Sequence, residues 1–287
     1  MAIINYRGTD YEVHPDVLNY DDICRLAPQL AGKERFVKWA MKFLSLDKIN
    51  ELHSHSCDTP GPEFCRRLLF EDLKVTLTVD NEEILDQMGD RPFVTVSNHV
   101  MGALDGIILI HLLGSRYPDY KVMVNMILNH ITAMRPNFIA VDALASDDPA
   151  KKAVSVKGIR QAMMQIRQGK PLGFFPAGAV SKLNSHFELR DRPWQPSIIR
   201  LIQQFKVPVV PIFFHGSNSA WFNFLGVVSW QLRTLRLPAE VERARGRHYH
   251  ATVGQPIMPD EIAAHPDIAQ LGQFLYDRTY DLRKSGK

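Results

Sequence analysis

The chain has 287 residues, of which 45% are hydrophobic and 23% charged, with a formal net charge of +3 and three cysteines. This is the composition of an ordinary globular protein of one large or two small domains, and it excludes a disordered, collagenous or coiled-coil chain. Cys24, Cys57 and Cys65 are too few for a disulfide framework and suit a reducing compartment, while no apolar run of roughly 18 residues or secretory opening signals a membrane span or export.

Residues 1–72 read as a helical region. Its clearest helix covers 33–49, where Phe36, Trp39, Ala40, Phe43 and Leu44 recur at three and four positions and form one apolar face. Lys33, Arg35, Lys38 and Lys42 flank that face. From residue 73 short apolar runs alternate with helical ones. Residues 74–79 alternate as a strand. Strand-like 93–97 precedes helical 106–113, 121–124 precedes 126–134, and 138–141 precedes 149–167. Strand-like 171–175 precedes 196–205, 207–214 precedes 219–235, and 248–253 precedes a closing helix at 266–283. Strands alternating with helices predict an α/β fold over 73–287: a mostly parallel sheet flanked by helices, behind a helical N-terminal region. Pro208 and Pro211 lack ladder donors, which predicts an edge strand or a late-starting one.

Charge is uneven. Residues 180–250 hold ten Lys/Arg against four Asp/Glu, or +6, which leaves −3 for the rest. Such a basic, aromatic-rich half fits a solvated surface or an anionic partner: nucleic acid, a membrane surface or a phosphorylated ligand. Residues 98–106 (NHVMGALDG) directly follow the strand at 93–97, where ligands bind in open α/β sheets. A histidine takes a proton near neutral pH, and a carboxylate can fix its tautomer. On one ideal helix His99 and Asp105 would lie about 240° apart. They can meet only if His99 sits on a turn before the helix, and Gly102 allows one. The same two residues also read as a strand-end cap and a helix cap. Residues 175–182 (FPAGAVSK) offer a Pro-x-Gly turn, a hydroxyl and an ammonium for an anion or carbonyl, and also read as a plain structural turn.

Other features are weaker. His53, His55 and Cys57, with Cys65 nearby, could converge on a metal, but no paired ligand spacing supports zinc and the stretch reads as a polar loop. His248 and His250 read as a surface ladder in a strand. Residues 218–237 are rich in Trp and Phe and end basic, which fits a buried helix or a surface for acyl chains.

In combination and in order, NH-x5-D at 98–105, RPNFIAVD at 135–142, FPAGAVSK at 175–182 and VPVVPIFF at 207–214 resemble the four blocks of the glycerolipid acyltransferases. That family contains lysophosphatidic acid acyltransferase, and the resemblance covers roughly residues 75–220. It implies His99 as general base and Asp105 as the carboxylate that orients it. It implies substrate contacts from Asn98, Arg135, Asn137, Phe175, Pro176, Gly178, Ser181 and Lys182. Five residues separate His99 from Asp105 where the usual pattern has four, and Ala177 and Val180 stand where it has Glu and Arg. These departures are similar to a hemolysin-labelled branch that includes O-acyltransferases of ornithine and glycine lipids. Asp191, Trp194 and residues 216–219 also resemble that branch.

The resemblance implies an O-acyltransferase with no metal and no resident cofactor. Acyl carrier protein or coenzyme A would carry the acyl thioester, and an amino-acid-headed lyso-lipid would accept the chain. Loss of the third-block Arg removes a bidentate phosphate clamp, which disfavours a phosphate-headed acceptor. The enzyme is expected in the cytoplasm, peripheral on the inner face of the membrane, touching it through residues 33–49 with help from Trp221 and Phe222. Nucleic acid is not expected as a partner. Two alternatives remain: a 1-acylglycerol-3-phosphate acyltransferase of phospholipid synthesis, and a non-enzymatic membrane-binding or hemolysin-like protein.

Overall fold

In the computed structural model, which describes residues 2–142, 149–184 and 186–284, the apolar runs become strands of one central sheet. The strands are β1 (Ala2–Tyr6), β2 (Thr9–Val13), β3 (Thr76–Asp80), β4 (Val94–Ser97), β5 (Lys121–Asn125), β6 (Phe138–Val141), β7 (Leu172–Phe174), β8 (Lys182–Leu183), β9 (Leu189–Arg190), β10 (Val209–His215) and β11 (His248–Val253). Seven of them form a sheet in the order β3-β11-β10-β4-β7-β5-β6. Every pairing in it is parallel except β10 with β11. The fold is therefore α/β with a mostly parallel sheet, as the alternation predicts. Helices Ala103–Arg116, Pro149–Arg167 and Pro196–Phe205 carry the chain from β4 to β5, β6 to β7 and β7 to β10. Parallel neighbours need such long crossovers.

The central strands β4, β7 and β10 are buried on both faces, which is why they read as continuous apolar runs. Val210, Ile212 and Phe214 of β10 pack with Phe64, Leu69 and Ile108 on one side. Val209, beside Val94, Val96 and Phe174, packs with Ala162, Ile202 and Leu271 on the other. The chain leaves β4 toward β5 on one side and later reaches β10 on the other. The strand order thus reverses at β4, and the ends of β4, β7 and β10 meet at a switch point where such sheets bind ligands.

The N-terminal region opens with strands rather than a helix. β1 and β2 form an antiparallel hairpin turned by Arg7 and Gly8, with φ of 51° and 80°. Helices Tyr20–Leu26, Glu34–Phe43, Leu46–Ser56 and Pro62–Arg67 follow. The helix predicted over 33–49 is two helices because Ser45 takes the left-handed conformation at φ 61°. Residues 53–56 are helical, not a loop. His53 Nδ1 donates to the Pro15 carbonyl at 2.9 Å and Nε2 accepts from the Ala133 N–H at 3.3 Å, while His55 pairs with Asp72. The helix predicted over 126–134 is two 3₁₀ segments, Met126–His130 and Thr132–Asn137, separated at Ile131. The segment predicted as one helix over 219–235 breaks at Ser229 into Ala220–Val228 and Trp230–Leu235.

Pro211 does not mark an edge. It sits in β10, between β4 and β11, at a shift of register: Val209 pairs with Ile257 and Ile212 with Val253, so three steps on one strand face four on the other. The missing proline N–H falls where the ladder is already interrupted.

Candidate active site

Asn98 fastens the end of β4. Its Nδ2 donates to the Phe214 carbonyl at 2.9 Å, and its Oδ1 accepts the Phe214 N–H at 2.7 Å. The amide is fully buried and spent on the β10 backbone. Asn98 therefore places the loop.

The chain then turns at Gly102, whose φ of 70° and ψ of −119° an L side chain adopts only under strain. A Cβ there would also stand 2.6 Å from Leu237 Cδ2. The turn brings Asp105, in the first turn of helix Ala103–Arg116, under the imidazole of His99. His99 Nδ1 and Asp105 Oδ2 are 3.0 Å apart. The same oxygen accepts the N–H groups of Met101 at 2.9 Å and Gly102 at 3.1 Å, donors that the helix start leaves free. The pair reading and the cap reading are thus both realised, by one carboxylate. Asp105 is completely buried while the His99 side chain keeps 19% of its exposure. Burial pushes the Asp105 carboxyl above its usual range, and the bond from His99 pulls in the opposite direction.

Phe175, just after β7, stacks on the His99 ring with centroids 4.3 Å apart at 29°. A carboxylate only accepts, so Nδ1 carries the proton and the neutral imidazole presents its lone pair at Nε2. Such a ring can take a proton from a hydroxyl. The rest of the third block shapes the loop. Gly178 donates its N–H to the Phe175 carbonyl at 2.9 Å, and a Cβ at Gly178 would fall 1.9 Å from Gln195 Nε2. Pro176 accepts the Gln195 N–H at 2.9 Å. Ser181 is buried and donates its backbone N–H to the His99 carbonyl at 2.7 Å. Lys182 is exposed on β8.

A family model described as "Acyltransferase" matches residues 21–287. The chain belongs to the acyltransferase family. Among curated proteins, this acyltransferase is similar to a "Lyso-glycine lipid O-acyltransferase" of Bacteroides thetaiotaomicron, 28% identical over 256 residues, or 86% of this chain and 89% of the relative. A protein of the same name from Phocaeicola vulgatus is 26% identical over 277 residues, 91% of this chain and 94% of that one. Among solved structures, the 1-acyl-sn-glycerophosphate acyltransferase PlsC of Thermotoga maritima aligns over 94% of this chain and 91% of its own, at a TM-score of 0.50 and 14% identity. That last likeness is one of fold.

Within this acyltransferase the second block does not join the His99 cluster. Arg135 donates from Nε to the Asn129 carbonyl at 2.6 Å and from Nη1 to the Glu12 carbonyl at 3.2 Å. Asn137 is buried before β6, with Nδ2 on the Tyr120 carbonyl at 2.7 Å. Both side chains brace backbone.

Two residues that the motifs did not reveal do reach the site's loops. Arg233, 4% exposed, donates from Nη1 to the Ser181 carbonyl and from Nη2 to the Val180 carbonyl, each at 3.0 Å. The third block, which has Val180 in place of its own Arg, thus receives a guanidinium from a helix far along the chain. Burial pulls the pKa of that guanidinium down. Glu240, 6% exposed, accepts the Ser219 N–H at 2.7 Å and hydroxyl at 2.6 Å. Asn218 beside it donates to the Val100 carbonyl at 3.2 Å, tying the segment after β10 to the His99 loop.

Proposed function

We propose that this acyltransferase moves a fatty acyl group from an acyl thioester, carried by acyl carrier protein or coenzyme A, to the hydroxyl of a lyso-lipid with an amino-acid headgroup, such as lyso-glycine or lyso-ornithine lipid. The supporting observation is the His99–Asp105 pair, capped by Phe175, in a chain that aligns along most of its length with lyso-glycine lipid O-acyltransferases. The acceptor oxygen bonds to the thioester carbonyl carbon as its proton passes to His99 Nε2. The tetrahedral intermediate then breaks its C–S bond, and the proton on Nε2 goes to the departing sulfur. An ester and a free thiol result, and the imidazole returns neutral. The carboxylate of Asp105 stabilises the imidazolium formed between the two transfers.

The headgroup assignment starts from the third block, where Val180 stands in place of an arginine. A phosphate favours a bidentate guanidinium. Arg135 and Arg233 are engaged by carbonyls, and Arg190 pairs with Glu188 at 3.0 Å and lies over the Tyr280 ring. A carboxylate headgroup demands less, and the exposed Lys182 offers a point charge. The test offers purified enzyme and an acyl donor with lyso-glycine lipid, lyso-ornithine lipid and lysophosphatidic acid in parallel. The amino-acid lipids should show the higher kcat/KM. Preference for lysophosphatidic acid would make the protein a 1-acylglycerol-3-phosphate acyltransferase. His99→Ala should abolish turnover with any acceptor.

The enzyme docks on an anionic membrane through helix Glu34–Phe43. Phe36, Trp39 and Phe43 are 53%, 61% and 61% exposed, and their rings form a row with centroids 6.0 and 5.4 Å apart. Val37 is the buried residue of this helix, and Lys33, Arg35, Lys38 and Lys42 are exposed around the row. An aromatic stripe ringed by basic groups suits a lipid interface. Trp221, Phe224, Val227 and Val228 offer a second exposed apolar set on helix Ala220–Val228. Phe222, expected beside Trp221, is fully buried under the Arg233 guanidinium. Among the described residues no helix is long and apolar enough to cross a membrane.

A further inference from the structure

His99 is held by more than Asp105. Its backbone N–H donates to Asp191 Oδ1 at 3.1 Å. Its carbonyl accepts the Ser181 N–H at 2.7 Å, and the Ser181 hydroxyl oxygen lies 3.0 Å from the same carbonyl. That hydroxyl also bonds Asp191 Oδ1. The two polar groups of the His99 backbone therefore end on one Asp191–Ser181 unit. The unit is itself seated: Trp194 Nε1 donates to Asp191 Oδ2 at 3.2 Å, and the Asp191 N–H donates to the Tyr280 hydroxyl at 2.8 Å. Asp191 is 8% exposed and Ser181 is completely buried.

We propose that Asp191 is a positioning residue for the catalytic histidine, acting with Ser181 by gripping the His99 backbone from both sides. The proposal rests on the reading of His99 as general base. Asp105 fixes one ring nitrogen and the N–H groups of Met101 and Gly102 further along the loop, and Phe175 covers one ring face, but neither bonds the peptide groups of His99 itself. Asp105 holds the loop at Met101 and Gly102, and at His99 a second buried carboxylate oxygen supplies the hold by accepting a main-chain and a hydroxyl donor together. The grip also spans two strand ends, since His99 follows β4 while Ser181 belongs to the segment after β7. Loss of the grip lets the imidazole drift from the line between acceptor hydroxyl and thioester. A misplacement on the order of 1 Å costs about 10²-fold in rate.

The test compares wild type, Asp191→Ala, Asp191→Asn, Ser181→Ala and His99→Ala in steady-state kinetics, with the downfield proton resonance of His99 Nδ1 as a second readout. That resonance is assigned by its disappearance in His99→Ala. Asp191→Ala should lower kcat about 10²-fold, leave KM within about twofold, and broaden or erase the His99 resonance. Asp191→Asn keeps one oxygen acceptor and should restore part of both. Retained kcat with an unchanged resonance in Asp191→Ala would overturn the proposal. So would an equal rise in KM and fall in kcat with the resonance intact, which marks a general structural role. If Asp191→Ala does not fold, Ser181→Ala decides the matter, since it deletes the hydroxyl alone: it should lower kcat about tenfold at constant KM, and an unchanged kcat refutes the grip. Normal turnover by His99→Ala would instead sink the general-base reading, whatever Asp191 does.

Discussion

One oxygen of Asp105 takes three hydrogen bonds, while the other, equally buried, takes none. The bonded oxygen both caps the start of the helix and meets the His99 ring. Burial raises the pKa of Asp105 above 3.8, so the folded protein binds that proton more tightly than the unfolded chain. Stability contributed by this site therefore falls as pH rises from 3.8 through the folded value, and the deficit persists at neutral pH. Asp105→Asn escapes the charge and keeps an oxygen for the three donors. It should lower kcat by about 10²–10⁴-fold without lowering the melting temperature at neutral pH; a clear loss of thermal stability would count against this account. Gly102→Ala should lose stability as well as turnover. Its Cβ meets Leu237 and its φ of 70° strains any side chain, so denaturant melts should show a loss of about 1–3 kcal/mol alongside lost turnover. His99 and Asp105 were legible in the sequence because they lie on one short loop with a glycine between them. Arg233 was not, because its partners are carbonyls, and every residue carries one.

Helices and strands were legible where burial imposed a period. β4, β7 and β10 stand out as apolar because both sheet faces are covered. The β1–β2 hairpin has mostly exposed side chains and so leaves no hydrophobic alternation to read. The break at Ser45 lacks a glycine or proline to announce it. Elements are also joined by single buried polar groups with measurable cost. Glu240 satisfies the N–H of Ser219, whose hydroxyl caps helix Ala220–Val228 by accepting from the Phe222 N–H at 3.1 Å. Glu240→Ala leaves that N–H buried without its acceptor and should cost about 1–3 kcal/mol in a urea titration. His53 joins helix Leu46–Ser56 to the loops of Pro15 and Ala133, and it must stay neutral so that Nε2 can accept. Burial holds its pKa below 6.5. The unfolded chain takes up that proton first, so stability falls as pH drops through 6.5. The urea midpoint should decline between about pH 7.5 and about pH 5.5, and less so in His53→Gln; an equal decline in both proteins would place the sensitivity elsewhere.

The net charge of +3 says little by itself, since the basic groups that matter surround one aromatic stripe. Vesicle co-sedimentation should show binding to anionic membranes that weakens as salt passes about 0.1 M, where the Debye length is about 10 Å. The double variant Trp39→Ala/Phe43→Ala should lose most of it. Strand order at this scale was not legible, because a one-dimensional pattern does not say that β7 inserts between β4 and β5. Nor does it say that the seat of Asp191 is completed by Tyr280 on helix Ile268–Asp281. That late contribution has a consequence in time. Synthesis proceeds at about 5–20 residues per second, so His99 and Asp105 leave the ribosome many seconds before Tyr280 is made. Throughout that interval Asp191 lacks the Tyr280 hydroxyl that accepts its N–H. If Asp191 aligns His99 as proposed, activity should arrive only once the helix that carries Tyr280 has been made.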